Sequence, residues 1–230
     1  MMELLSPVGD FDCLKAAVQN GADAVYFGAN SFSARAFASN FDDDTLKIRG
    51  VKTNLTLNTL IKNDEMYNAI ALAKKAYEYG IDAIIVQDLG LARYMIKNFP
   101  GLAVHASTQM SVHNLEGVLT LQNMGFSRVV LSRELSIQEI EHICKNSNVE
   151  IEAFVHGALC ISYSGQCLFS SMVGGRSGNR GKCAQPCRLP YELLENDTTI
   201  DKGYLLSPRD LCGLEYLPQL VNAGVTCLKI

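Results

Sequence analysis

Absences narrow this 230-residue sequence before any motif is read. It has no apolar run approaching the roughly 20 residues that cross a bilayer. Glu3 interrupts the N-terminus, where a secretion signal needs a basic start and an apolar stretch. The expectation is a cytoplasmic protein with no membrane partner. There is no Gly-x-Gly-x-x-Gly turn to support a dinucleotide fold, no His-Glu-x-x-His helix and no obvious nucleophile elbow, so no protease mechanism can be read from spacing. A net charge of −4 argues against a surface coated in basic residues for indiscriminate nucleic-acid binding. With 48% hydrophobic and 19% charged residues, disorder, collagen and coiled coil are excluded, and the chain is long enough to bury one large core.

What is present is a repeated phrase: a helix-like stretch, a glycine, then an apolar strand ending in polar residues. The copies begin at Gly21, Gly50, Gly80, Gly125 and Gly224. The glycine suits the left-handed position that closes a helix, and the β-branched run after it suits a strand buried on both faces. Residues 3–5, 103–106 and 149–155 share the strand pattern, which brings the count to eight. Helix starts are signalled by Asp10, by Ser136 with Glu139 as a capping box, and by Ser207 before Pro208. Eight strands alternating with helices predict a (β/α)8 barrel of the TIM type, a single domain over residues 1–230 with the eighth strand at its end and no eighth helix. The crossover between residues 41 and 50 is short for a helix. The expectation is that residues are missing there and after 230, so that the sequence is part of a longer protein.

Barrel enzymes carry their sites at the C-terminal ends of the strands. The candidates there are Asn58, Asp88 beside Gln87, His105, Ser107 and Gln109, Arg133, Glu134 and His156, with Arg35 in the loop after the second strand. Of these, His156, Arg133, Glu134, His105 and Asp88 are the candidates for catalysis, and Arg35, Asn58 and Gln109 for substrate binding. After the seventh strand the composition changes. Residues 153–191 contain no Asp or Glu but hold Arg176, Arg180, Lys182 and Arg188, so this stretch carries +4 and the remainder −8. Its glycines make a loop in which these arginines could meet phosphates. The cysteine-rich, basic insertion is placed at residues 157–205.

The sequence has eight cysteines, more than packing requires, and four of them fall in that insertion: Cys160, Cys167, Cys183 and Cys187. In a reducing compartment, clustered thiols bind metal more readily than they form disulfides. Four thiolates suit structural zinc or an iron-sulfur cluster. The absence of tight Cys-x2-Cys knuckles leans toward iron and sulfur, with Cys212 as a reserve ligand. Cys13, Cys144 and Cys227 read as buried packing.

The run from Glu152 through His156, Gly157, Cys160, Gly165 and Cys167 to Ser170 resembles the signature of the collagenase-like U32 peptidase family. The opening Glu3 to Gly9, the segment after Gly21, His105 to Gln109 and Asn179 to Arg188 also match, so the resemblance runs nearly end to end. Phe169 stands where an aliphatic residue is expected. The resemblance implies a barrel-like catalytic domain. It also implies either peptidase activity or, from better-understood relatives, hydroxylation of C5 of a pyrimidine in 23S rRNA or tRNA, apparently drawing on prephenate. Other relatives act in oxygen-independent ubiquinone hydroxylation and carry 4Fe-4S clusters. By position, Cys160, Cys167, Cys183 and Cys187 are then the cluster ligands, and Arg133, Arg35 and His156 could hold an anionic carboxylate donor. A third reading makes the segment a zinc-stabilised RNA-binding module. The oligomeric state is not legible.

Overall fold

The computed structural model describes residues 2–28, 32–33 and 50–230. Arg35 and the short 41–50 crossover lie outside the described residues. Eight parallel strands close into a barrel: β1 (Glu3–Pro7), β2 (Ala24–Gly28), β3 (Lys52–Leu57), β4 (Ala83–Val86), β5 (Ala103–Ala106), β6 (Arg128–Val130), β7 (Glu150–Phe154) and, as the eighth, β12 (Cys227–Lys229), which pairs with both β7 and β1. The fold is therefore the (β/α)8 barrel that the repeat predicts. The punctuating glycines explain why. Gly125 and Gly224, each at φ +97°, close the helices ahead of β6 and β12, in a conformation that glycine adopts without a Cβ penalty.

Outside the barrel lie α1 (Phe11–Gln19), α2 (Met66–Glu78), α3 (Leu89–Asn98), α4 (Leu115–Met124) and α5 (Ile137–Asn146). Each turns a narrow apolar stripe inward. On α2 it is Ala69, Ala73 and Ala76, whose small side chains let the helix lie close to the strands. Asp10 caps α1, and the Ser136–Glu139 capping box opens α5. The expected helix at Ser207 and Pro208 does not form. Ser207 Oγ and the Pro208 carbonyl instead accept hydrogen bonds from Arg188 at 2.8 and 2.6 Å, which fixes the segment as a loop. The next helix, α7, is Leu217–Ala223.

Between β7 and β12 run β8 (His156–Gly157), α6 (Phe169–Gly174), the hairpin β9 (Tyr191–Glu195) with β10 (Thr198–Gly203), and β11 (Leu211–Cys212), which pairs antiparallel with β8. Of the cysteines expected to pack, Cys227 is buried in the barrel and Cys144 half-buried. Cys13 is exposed, because it falls on the outer side of α1, whose buried residue is Leu14.

The lumen combines an apolar cluster of Leu5, Ala24, Tyr26, Ile85 and Cys227 with buried charge. Arg128 reaches across from β6 to Glu3 of β1 at 2.6 Å and also meets Glu150 at 2.7 Å and Glu152 at 3.3 Å; Lys229 pairs with Glu152 at 2.7 Å. Burial works against the Glu3 carboxylate, but hydrogen bonds from Arg128 and Lys52 hold its pKa down at about 2. No sequence expectation singled out these charges. Arg128, Glu152 and Lys229 interrupt otherwise apolar strands, and that was the available signal.

Candidate functional site at the C-terminal mouth

The cysteine-bearing segment is seated on the C-terminal mouth of the barrel by bonds to the loops that follow β5 and β6. Ser111 Oγ donates to the Ser164 carbonyl at 2.6 Å, and Gln166 Nε2 donates to Ser111 Oγ at 2.6 Å. Glu134 Oε1 accepts from the Ser164 amide at 2.9 Å and from its hydroxyl at 3.1 Å. Ser111 itself is left-handed, with φ +58°, a strained state for a residue with a side chain and one held here by those bonds.

Within the segment the four thiols gather. Cys160 is pushed above the ordinary thiol range first by partial burial; Arg133 opposes this, while Cys167, Cys187 and Cys183 all reinforce it. Cys212 is not among the groups acting on Cys160. Its backbone instead pairs with His156 in the β8–β11 ladder. Gln185 is held left-handed, at φ +56°, and turns its N–H toward Cys183 Sγ at 3.3 Å. Among the described residues, no group of three or more His, Cys, Asp or Glu side chains is drawn close enough to hold a metal ion.

Arg133 lies at the centre of this mouth. Its guanidinium stacks on Phe154, 4.1 Å from the ring centroid, and donates to the Ala158 carbonyl at 3.2 Å. Lys229 approaches the same ring at 5.5 Å and the Tyr26 ring at 4.2 Å. His156 is exposed on β8. Glu134 adds a partner that no sequence motif announced: its Oε2 lies 3.2 Å from His113 Nε2. The other His113 nitrogen, Nδ1, lies 2.7 Å from the Ser111 carbonyl and 3.4 Å from Ser132 Oγ, and the ring packs edge-on to Tyr163.

The remaining rim candidates are placed as follows. His105 lies inside the lumen and not at the rim; burial first, then Arg128, lower its pKa to about 3. Asp88 caps α3 through the Leu91 amide at 2.9 Å and also accepts from the Ile61 amide at 3.2 Å. Asn58 donates to Ser107 Oγ at 3.3 Å. Two of the three arginines are engaged with the chain itself. Arg180 forks onto Glu65 at 2.9 and 2.8 Å, and Arg188 holds Ser207, Pro208 and the Leu159 carbonyl. Arg176 is exposed and uses its Nε on the Lys182 carbonyl at 3.0 Å. Between α3, α4 and the loop after β5 lies a cavity of about 800 Å³ lined by Gln87, Gln109, Met110, His113 and Gln166 among others.

Comparison with known proteins places this architecture. The sequence profile of peptidase family U32 matches residues 9–230. The 23S rRNA 5-hydroxycytidine synthase of Escherichia coli is 41% identical over 100% of this chain and 36% of its own length. A tRNA hydroxylation protein of Bacillus subtilis is 35% identical over 99% of this chain and 58% of its own. A collagenase of Porphyromonas gingivalis is 37% identical over 99% and 60%. The chain thus spans between about one third and three fifths of these relatives. Among solved structures, a U32 peptidase superposes with a TM-score of 0.60 at 16% identity over 69% of this chain and 70% of its own, a likeness of fold.

Proposed function

Because this chain belongs to peptidase family U32, we propose that it is the barrel portion of an enzyme that hydroxylates C5 of a pyrimidine in ribosomal or transfer RNA, with a 4Fe-4S cluster held by Cys160, Cys167, Cys183 and Cys187. The observation that carries the reading is the gathering of four thiols around Cys160 on a segment latched over the mouth where barrel enzymes place their chemistry. The names of two relatives, an rRNA hydroxycytidine synthase and a tRNA hydroxylation protein, support the substrate class.

The donor set fits such a group. A single zinc ion would draw its thiolates to about 3.8 Å from one another, given Zn–S bonds of about 2.3 Å in a tetrahedron. The described side chains are not drawn that close, and a polynuclear cluster spans a wider cage of thiolates. The Gln185 N–H on Cys183 is the kind of donor that steadies a ligating thiolate. When bound, a cluster supplies one-electron redox chemistry. The chain's own residues do the rest. Arg133, stacked on Phe154 and electrostatically coupled to Cys160, offers a carboxylate-bearing hydroxyl donor a charge-assisted partner beside the thiols. Exposed Arg176 and Lys182 leave positive charge on the surface of the segment for RNA phosphates.

The distances among Ser132, His113 and Glu134 resemble a hydrolase relay but do not favour a peptidase. Ser132 is 3% exposed, and His113 Nδ1 faces the Ser111 carbonyl, to which it can only donate, so it is not poised to accept the serine proton.

The test has two arms. Protein purified without oxygen is assayed for iron and sulfide, and RNA nucleosides from a strain lacking the gene are measured by mass spectrometry. About four irons and four sulfides per chain, together with loss of a 5-hydroxypyrimidine, are expected. Stoichiometric zinc, or nucleosides unchanged in a strain that also lacks any paralogue, would overturn the reading.

A further inference from the structure

The cavity between α3 and α4 lies apart from the thiols but shares a wall with their segment, because Gln166, the neighbour of Cys167, lines it. We infer that this cavity receives the base to be modified, and that Gln87 makes it select a base with an exocyclic amino group, cytosine over uracil. The inference rests on the RNA reading above.

The argument begins with an acceptor that has no donor. Gln87 is buried, and its amide nitrogen donates to the Gln109 carbonyl at 3.1 Å. That bond fixes which way the amide points, since a carbonyl cannot face a carbonyl. Gln87 Oε1 is then an acceptor shielded from water without a partner in the chain, and Gln109 Oε1 is another. A buried acceptor left unpaired is costly, and a ligand that brings N–H groups relieves the cost.

The walls give the rest of the ligand's chemistry. Leu60, Leu89, Met110, Val112, Leu121 and Met124 present apolar surface suited to the faces of a planar ring. No lysine or arginine lines the cavity, and its one carboxylate, Asp88, is engaged by the Leu91 and Ile61 amides. A phosphate or an anionic donor finds no counter-charge there, whereas an uncharged heteroaromatic ring does not need one. The volume of about 800 Å³ accommodates a nucleoside. The amino group of cytosine offers two N–H donors. Uracil has a carbonyl at the same edge, which would face Gln87 Oε1 acceptor to acceptor, and sites built to accept a hydrogen bond reject analogues that lack the donor.

The test uses saturation-transfer NMR on the full chain with cytidine 5′-monophosphate, uridine 5′-monophosphate and ribose 5-phosphate as probes. Transfer to the base protons of the cytidine nucleotide is expected, at least threefold stronger than for uridine, with the preference lost in Gln87→Leu. That variant also removes the bond to Gln109 and could unfold the rim, so Gln109→Met, which keeps the bond, is the second variant and is expected to weaken the cytidine signal at least twofold. Gln109→Glu retains an acceptor and should retain the signal. Equal transfer to both nucleotides, a preference that survives both variants, or transfer to the sugar alone would overturn the inference. Should cytidine binding depend on Gln87 while cellular RNA keeps its 5-hydroxypyrimidine, the pocket assignment stands and the hydroxylation reading fails.

Discussion

Gly165 packs against Gln109 so closely that a Cβ built on it would lie 2.5 Å from the Gln109 carbonyl oxygen, with its own backbone at φ +77°. This contact seats the thiol segment on the barrel mouth. Gly165→Ala must therefore shift a backbone and adopt a strained dihedral, at a cost of about 1–3 kcal/mol for the dihedral alone. The expected outcome is a lower unfolding midpoint and faster proteolytic cleavage between residues 157 and 190. Gly175→Ala, at φ +65° but with open space around it, should show the smaller loss.

Arg128 neutralises Glu3 and Glu152 inside the lumen, where its side chain is 5% exposed. Arg128→Leu leaves both carboxylates uncompensated and should destabilise the fold by about 3–5 kcal/mol. Lys52 also pairs with Glu3, but its side chain is 63% exposed, so Lys52→Met should cost about 1 kcal/mol or less. Urea titration of the two variants compares them directly, and equal losses would contradict the buried network.

Stability should fall with acid in two overlapping limbs. The folded chain holds His105 neutral down to about pH 3, whereas the unfolded chain protonates it near its ordinary 6.5. Glu3 is depressed to about 2 from an ordinary 4.5. In both windows the unfolded state binds more protons, so stability declines as pH falls, by up to about 1.4 kcal/mol per pH unit for each group. Loss from His105 begins near 6.5, and Glu3 adds below 4.5. The groups acting on His105 are Arg128, Glu152, Lys229 and Glu3. His105→Asn should flatten the upper limb of a pH series of urea midpoints and leave the lower one.

The cysteines divide by position. Serine substitution at Cys160, Cys167, Cys183 or Cys187 should each remove more than half of the iron bound after anaerobic purification, while Cys13→Ser, exposed on α1, should remove none. Cys212→Ser decides the reserve ligand. Retention of iron is expected, because Cys212 is not among the thiols that act on Cys160.

The barrel was legible because its signal is local. A glycine that ends a helix followed by a β-branched run is recognisable one unit at a time, and each of the eight expected strands formed. The four-thiol segment was equally plain in composition, since thiols and a lack of acids are visible without coordinates. His113 was not legible: it follows a left-handed serine in a loop, and nothing in its neighbours announces a glutamate 21 residues later. His105 and Asp88 carry rim-like chemistry in sequence, yet one points into the lumen and the other caps a helix.

The sequence by itself determined the (β/α)8 repeat, the family and the gathering of thiols and arginines on one segment, because periodicity, capping and composition act over a few residues. The tertiary structure decided which charges face one another across the lumen, which arginines are engaged with the chain, and that Gln87 keeps an acceptor free at the edge of a cavity. Those outcomes depend on contacts between residues far apart in the chain. A hydrogen bond or ion pair is made at about 3 Å, and only the closed barrel brings Glu3 to Arg128, Glu65 to Arg180 and Ser164 to Glu134 within that reach.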